Sequence, residues 1–211
     1  MGFWDVNDFT AARMNRLGPW VDEIVGTDGN YASLNSAVAA GATRIILCDG
    51  AYLSAALSLT NVNGGFIVHM GPGILNLGAY GITVTEGAWR FEGFRLASGS
   101  GVGIYLATNA LSSEFARVRV VGFSSHGIQL GTNANDHLLY GCTCTTNGGD
   151  GIKVGANSSC ARIEASMSYG NTGYGVNDTS NSAIVVGNRL DGNTAGAIGG
   201  TPSIDVGNKK T

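Results

Sequence analysis

The sequence predicts an all-β chain wound as a single-stranded parallel β-helix of about seven coils. Composition points there first. Glycine is 34 of 211 residues, proline is 3 and charged residues are 13%, which suits tightly turning β structure with little charged surface. A repeat decides it. A small residue followed by an aliphatic recurs at Gly81-Ile82, Gly103-Ile104, Gly127-Ile128, Gly151-Ile152, Gly175-Val176 and Ala197-Ile198, spaced 22, 24, 24, 24 and 22 apart. A weaker copy, Ala56-Leu57, lies 25 residues upstream. That period is too short for two helices per repeat. It fits one coil of three short strands joined by turns.

Other columns keep the period. Phe91, Phe115, Leu139, Ile163 and Val185 stand thirteen before each aliphatic. The pairs Phe94/Leu96, Val118/Val120, Cys142/Cys144 and Ser166/Ser168 stand ten and eight before it. Alternation turns Ile128 and Leu130 inward and Gln129 outward, and likewise Ile152, Val154 and Lys153. Stacked coils bring equivalent residues to about 4.8 Å. Two asparagine columns follow: Asn109, Asn133, Asn157 and Asn181 after the aliphatic, and Asn147, Asn171 and Asn193 before it. Both are expected to be hydrogen-bonded ladders, in a residue type that also tolerates left-handed turns.

Upstream, Asp28–Gly41 reads as a short helix. Asp28 or Asn30 caps it, Leu34, Ala37 and Val38 form its apolar face, and Gly41 ends it. Such a helix is placed to cover the open N-terminal end of a solenoid. Residues 1–27 stand outside the repeat and are expected to form an attachment or oligomerisation arm, with the β-helix domain over 28–211. The arm carries Phe3, Trp4, Phe9, Leu17 and Trp20, more apolar surface than a free tail shows.

Several classes are excluded. The apolar runs are too short to span a membrane. A net charge of −3 gives no basic stripe for nucleic acid. The first residues lack the apolar core of a secretory signal. Cys48, Cys142, Cys144 and Cys160 have no zinc spacing with His126 or His137, so buried thiols and no metal are expected. No phosphate-binding glycine loop and no Gly-x-Ser-x-Gly elbow is present, so no cofactor is expected.

The stretch Asp28–Ser54, with its helix, strand and Cys48-Asp49-Gly50-Ala51-Tyr52 turn, resembles the opening of pectate-lyase-like right-handed β-helices, including phage tailspikes. Cysteine stands where that family usually has proline. Phe9–Leu17 is similar to a phrase near the start of phage tail-fibre and tailspike proteins. The resemblance implies right-handed winding, a homotrimer, attachment to other virion tail proteins through the arm, and contact with host surface polysaccharide. It places the protein in the virion tail, made in the host cytoplasm. It leaves catalysis open, because the superfamily includes lyases, hydrolases and inert scaffolds.

The search for chemistry gives two candidate surfaces. A glycosidase needs two carboxylates roughly 5–9.5 Å apart. Glu92 and Glu164 share a column three coils apart, roughly 14 Å, so no acid pair emerges. Arg95 and Arg119 share an outward column one coil apart. They are expected either to be neutralised by Glu92 or Glu114, in this chain or a neighbour, or to hold an acidic sugar. The columns flanking the repeated glycine bring Tyr105, Gln129 and Lys153 beside His126, Asp150 and Tyr174, with Asn177 continuing the row. Aromatic, amide and acid groups together suit a glycan, and equally a subunit interface or a solvated face.

Overall fold

The computed structural model describes residues 21–27, 29–71, 73–110, 112–159 and 161–210. Most of the expected arm, Asp28 and Cys160 lie outside the described residues.

The described chain is a parallel β-solenoid of about eight turns with three sheets. The first sheet has nine strands, from Glu23–Val25 and Arg44–Leu47 through Trp89–Glu92 and Leu138–Tyr140 to Ile204–Val206. The second has seven, from Leu75–Asn76 through Phe94–Ala97 and Arg119–Val121 to Lys209–Lys210. The third has seven, from Leu57–Leu59 through Ile128–Leu130 and Ile152–Val154 to Gly196–Gly200. Every strand pair is parallel, which three strands per turn require.

The repeat phrase is the register of the third sheet. Leu57 pairs with Ile82, and Ile104, Ile128, Ile152, Val176 and Ile198 follow in turn. The phrase therefore counts seven strands. The first sheet gains two rungs from chain that precedes it. One of these, Glu23–Val25, lies ahead of the boundary expected at residue 28. It is fixed by Asp22, whose carboxylate accepts the backbone N–H groups of Thr43 and Arg44 at 2.9 Å and the Arg44 Nε–H at 2.9 Å. Burial opposes the charge on Asp22, but these donors outweigh it and hold the carboxyl well below its ordinary value.

Three inward columns fill the solenoid. Phe91, Phe115, Leu139, Ile163 and Val185 are in register and buried, and the Phe91 and Phe115 rings stack at 4.9 Å. Leu96, Val120, Cys144 and Ser168 face them from the second sheet, and the repeated aliphatics from the third. The thiols of Cys142 and Cys144 are buried. Burial pushes Cys142 up to about 12 and Cys144 well above its ordinary value.

Left-handed residues turn most of the corners, one or two to a corner. Between the first and second sheets these include Arg117, Gly141, Ala165 and Gly187. Between the second and third they include Gly122, Thr146, Gly170 and Gly192. Between the third and first they include Asn133, Asn157 and Asn181. The last set corrects one of the two expected ladders. Asn133, Asn157 and Asn181 have φ of 58°, 57° and 59° and are exposed. They serve because asparagine tolerates this conformation, not because they stack inward.

The other asparagine column is a ladder. Asn147 N–H and Nδ2–H both donate to Asn171 Oδ1, at 3.0 and 2.9 Å. Asn171 repeats this on Asn193 at 3.1 and 2.8 Å, and Phe123 N–H donates to Asn147 Oδ1. The ladder also accounts for the repeated glycine. A Cβ at Gly127, Gly151 or Gly175 would lie 2.9, 2.7 or 2.8 Å from the Nδ2 of Asn147, Asn171 or Asn193. A second ladder, which mixed residue types conceal in the sequence, runs through the first corner. Cys142 N–H donates to Ser166 Oγ, Ser166 N–H to Asn188 Oδ1, and Asn188 N–H to Asn208 Oδ1.

The helix spans Leu34–Ala39. Ser33 caps it, not Asp28 or Asn30: its Oγ accepts the Ser36 N–H. Leu34 and Ala37 are buried in the core, and Val38 packs against it. Gly41, at φ 93°, follows the last turn as expected.

Candidate functional site

His126, Asp150 and Tyr174 follow the second corner in successive coils and lie beside the outward row of the third sheet. In that row Tyr105, Gln129, Lys153 and Asn177 are in register and half-buried. The two columns meet where Asn177 Nδ2 donates to Asp150 Oδ2 at 3.0 Å.

His126 and Asp150 reach forward along the solenoid to the coil that follows. His126 Nδ1 accepts the Asp150 N–H at 2.9 Å, and Asp150 Oδ1 accepts the Tyr174 N–H at 2.8 Å. Glycine makes the room. A Cβ at Gly149 would lie 2.7 Å from His126 Nδ1, and one at Gly173 would lie 2.3 Å from Asp150 Oδ1. The sequence signal was present in Gly149-Asp150-Gly151 and Gly173-Tyr174-Gly175, but each glycine makes room for a side chain 23 residues away. Tyr174 uses the same device, its ring lying over Gly199 and Gly196.

This geometry fixes the protonation of His126. Its Nδ1 lone pair is taken by a backbone N–H, so the neutral ring carries its proton on Nε2. Burial lowers its pKa, Asp150 opposes that, and Lys153 adds to it. Nδ1 and Asp150 Oδ2, 3.4 Å apart, are therefore neighbours rather than an ion pair at neutral pH. Both Asp150 oxygens already accept hydrogen bonds. What the surface offers is hydroxyl, amide and imidazole groups with one ammonium.

His137 is different. It is 1% exposed, its Nδ1 accepts the Ser113 N–H at 3.1 Å, and its Nε2 has no partner. Burial pushes it down to about 4, against weaker opposing pulls from the Ser113 and Ala110 backbone and from Asp136.

Arg95 and Arg119 are direct register neighbours in the second sheet, Arg95 half-buried and Arg119 exposed. Glu92 does not neutralise them: it is held by Arg90 at 2.9 Å and Arg117 at 2.6 Å. Glu92 sits in the last position of its strand, beside the corner that Arg117 turns, so Arg117 reaches it first. No ion pair joins Glu114 to either arginine among the described residues. Glu92 and Glu164 are three rungs apart through Ala116 and Tyr140. Asp178 is buried and spends its carboxylate on the third corner, accepting the N–H groups of Ser180, Asn181 and Ala183. Among the described residues no group of three His, Cys, Asp or Glu side chains is placed to hold a metal ion.

Comparison of the chain with protein-family models, curated proteins and solved structures finds no match. The fold itself supplies the class: a parallel β-solenoid, the architecture that the likeness to pectate-lyase-like β-helices implies.

Proposed function

We propose that the chain is a virion tail component of the tail-fibre or tailspike type, assembled as a homotrimer, that contributes to attachment to host-surface glycan. The observation that carries this reading is the row on the third sheet. Tyr105, Gln129, Lys153 and Asn177 repeat along the axis at about 4.8 Å, beside His126 and Tyr174. A polymer of hydroxylated rings laid along the axis meets one side chain per rung. The row carries a single charge, so hydroxyl groups rather than ions are its natural partners. In this reading the chain ahead of the Glu23–Val25 strand joins the solenoid to other tail proteins.

The test is binding of the full chain to a panel of purified bacterial surface polysaccharides. Reducing ends and unsaturated-uronate absorbance are followed in the same samples. Attachment requires binding without release of either. Release of one or the other assigns a depolymerase. No binding to any member sinks the glycan reading and leaves a decoration or connector protein. Light scattering tests the trimer, and a monomer at micromolar concentration refutes it.

A further inference from the structure

Arginine is used in two ways on this molecule. Arg44, Arg90, Arg117, Arg162 and Arg189 each sit against a carboxylate, those of Asp22, Glu92, Glu92, Glu164 and Asp191. Arg95 and Arg119 are the only two among the described residues that do not, and they are the two stacked directly on one another. Like charges on adjacent rungs repel, and the fold leaves that repulsion unrelieved. It also leaves Arg95 Nε buried with no acceptor, a donor that folding has desolvated without compensation. The column they occupy begins at Asn76, passes Thr143, and ends with Arg189 and Lys209. It contains four cations, of which, among the described residues, Arg189 alone has a carboxylate partner, Asp191, in a chain whose net charge is −3.

We propose that Arg95 and Arg119 form a binding site for an oxyanion, carboxylate or phosphodiester, carried by a surface polymer lying along the second sheet. The inference rests on the attachment reading above and extends it to a different face and an anionic class of polymer. Two guanidinium forks on one side of a sheet give an oxyanion several charge-assisted donors. Thr143, one rung beyond Arg119, adds a hydroxyl. Lys209, at the far end of the column, adds a cation in the same axial direction, while Arg189 is held by Asp191. Among the described residues the outward face of this sheet carries a single aromatic ring, Tyr169, and so no run of rings on which successive bases would stack, which favours a glycan-type polymer over a nucleic acid.

The experiment measures affinity of the full chain for a polysialic acid oligomer, a poly(glycerol phosphate) oligomer, neutral dextran and a single-stranded oligodeoxynucleotide. Wild type, the double variant Arg95→Gln/Arg119→Gln and the control Arg162→Gln are compared at low and high salt. Circular dichroism confirms folding of each variant. The expected result is binding of at least one anionic glycan polymer, weakened about tenfold or more in the double variant. The binding falls with salt, and Arg162→Gln, on the first sheet and held by Glu164, leaves it unchanged. The carboxylated and phosphorylated arms identify which oxyanion is read. Equal affinity of wild type and double variant overturns the proposal, as do preference for dextran and tighter binding of the oligonucleotide. Dissociation of an oligomer by the double variant, without polymer binding by wild type, assigns the arginines to a subunit contact and also overturns it. Retention on bacterial cells is scored separately. Cell binding that survives the double variant, with no anionic polymer bound, defeats this site and leaves attachment standing. Arginine-dependent polymer binding without cell retention does the reverse.

Discussion

Acid should weaken the solenoid before any carboxylate is protonated, and His137 is the main reason. The folded chain holds this ring neutral, at about 4, against 6.5 unfolded. A depressed histidine means that the unfolded state takes up the proton first. The stability it contributes is therefore complete above pH 6.5 and is lost as pH falls towards 4. Each unit is worth about 1.4 kcal/mol, so the full loss is about 3 kcal/mol, and about 2 kcal/mol is gone by pH 5. His126 is shifted in the same direction. The lowered carboxyls of Glu92 and Asp205 begin to lose their contribution as pH falls through their ordinary values of 4.5 and 3.8, below the interval between pH 7 and pH 5. The assay is denaturant unfolding at pH 7 and pH 5 for wild type and His137→Asn. Asparagine offers Oδ1 where Nδ1 accepts the Ser113 N–H, as Asn147 does for Phe123, but it does not titrate. The variant should lose about 2 kcal/mol less than wild type between the two pH values. Equal losses in both proteins would refute the assignment, and a wild type more stable at pH 5 would refute the sign.

Three further outcomes are expected. Asn171→Ala strips the acceptor from two Asn147 donors and a donor from the Cys144 carbonyl, and should cost about 3 kcal/mol. Asn157→Ala, in an exposed left-handed corner, should cost only about 1 kcal/mol; equal thermal shifts would erase the distinction between ladder and corner. Gly151→Ala puts a Cβ 1.8 Å from Ser168 Oγ and 2.9 Å from the Gly175 carbonyl oxygen. It should lower stability by about 2–3 kcal/mol in chemical denaturation, and an unchanged midpoint would show that the column has slack. Cys142 and Cys144 should react with a thiol reagent only as the protein unfolds, because burial keeps both thiols protonated; rapid native labelling of either would contradict their place in the core.

The repeat was legible because side chains one coil apart must occupy the same environment, so spacing in sequence is spacing in register. Ile104, Ile128 and Ile152 reveal their sheet by recurrence alone. Corners were less legible. Asn147 and Asn157 have the same residue type and the same period, yet one is buried and the other exposed. Alternation stops at a corner, and a left-handed residue there swings its neighbours to a new face. Function-bearing geometry was harder still. The sequence brought His126 and Asp150 together. It did not show that Gly149 and Gly173 let them reach the next coil, nor that Arg117 claims Glu92 before Arg95 can. Both depend on side-chain direction, which periodicity does not carry.

The three corners differ in how much chain they hold. Phe91–Leu96, Phe115–Val120, Leu139–Cys144 and Ile163–Ser168 each advance five residues across the first corner. Val120–Ile128, Cys144–Ile152, Ser168–Val176 and Leu190–Ile198 each advance eight across the second. Across the third, Ile104–Phe115, Ile128–Leu139 and Ile152–Ile163 advance eleven, Val176–Val185 nine, and Ile198–Asp205 seven. Where the ladders run, two edges of the prism are closed to editing, because an extra residue there would break the Ser166–Asn188–Asn208 or Asn147–Asn171–Asn193 chain of acceptors; upstream of the ladders the first edge does hold extra chain, Ile67–Leu75 advancing eight residues against three for the equivalent Phe91–Phe94. In those same coils the third edge absorbs changes of two residues while every rung stays in register. Inserted sequence is tolerated there first, so a loop grafted beside Asn157 can grow outward at constant height, while one grafted beside Asn171 unzips the coil.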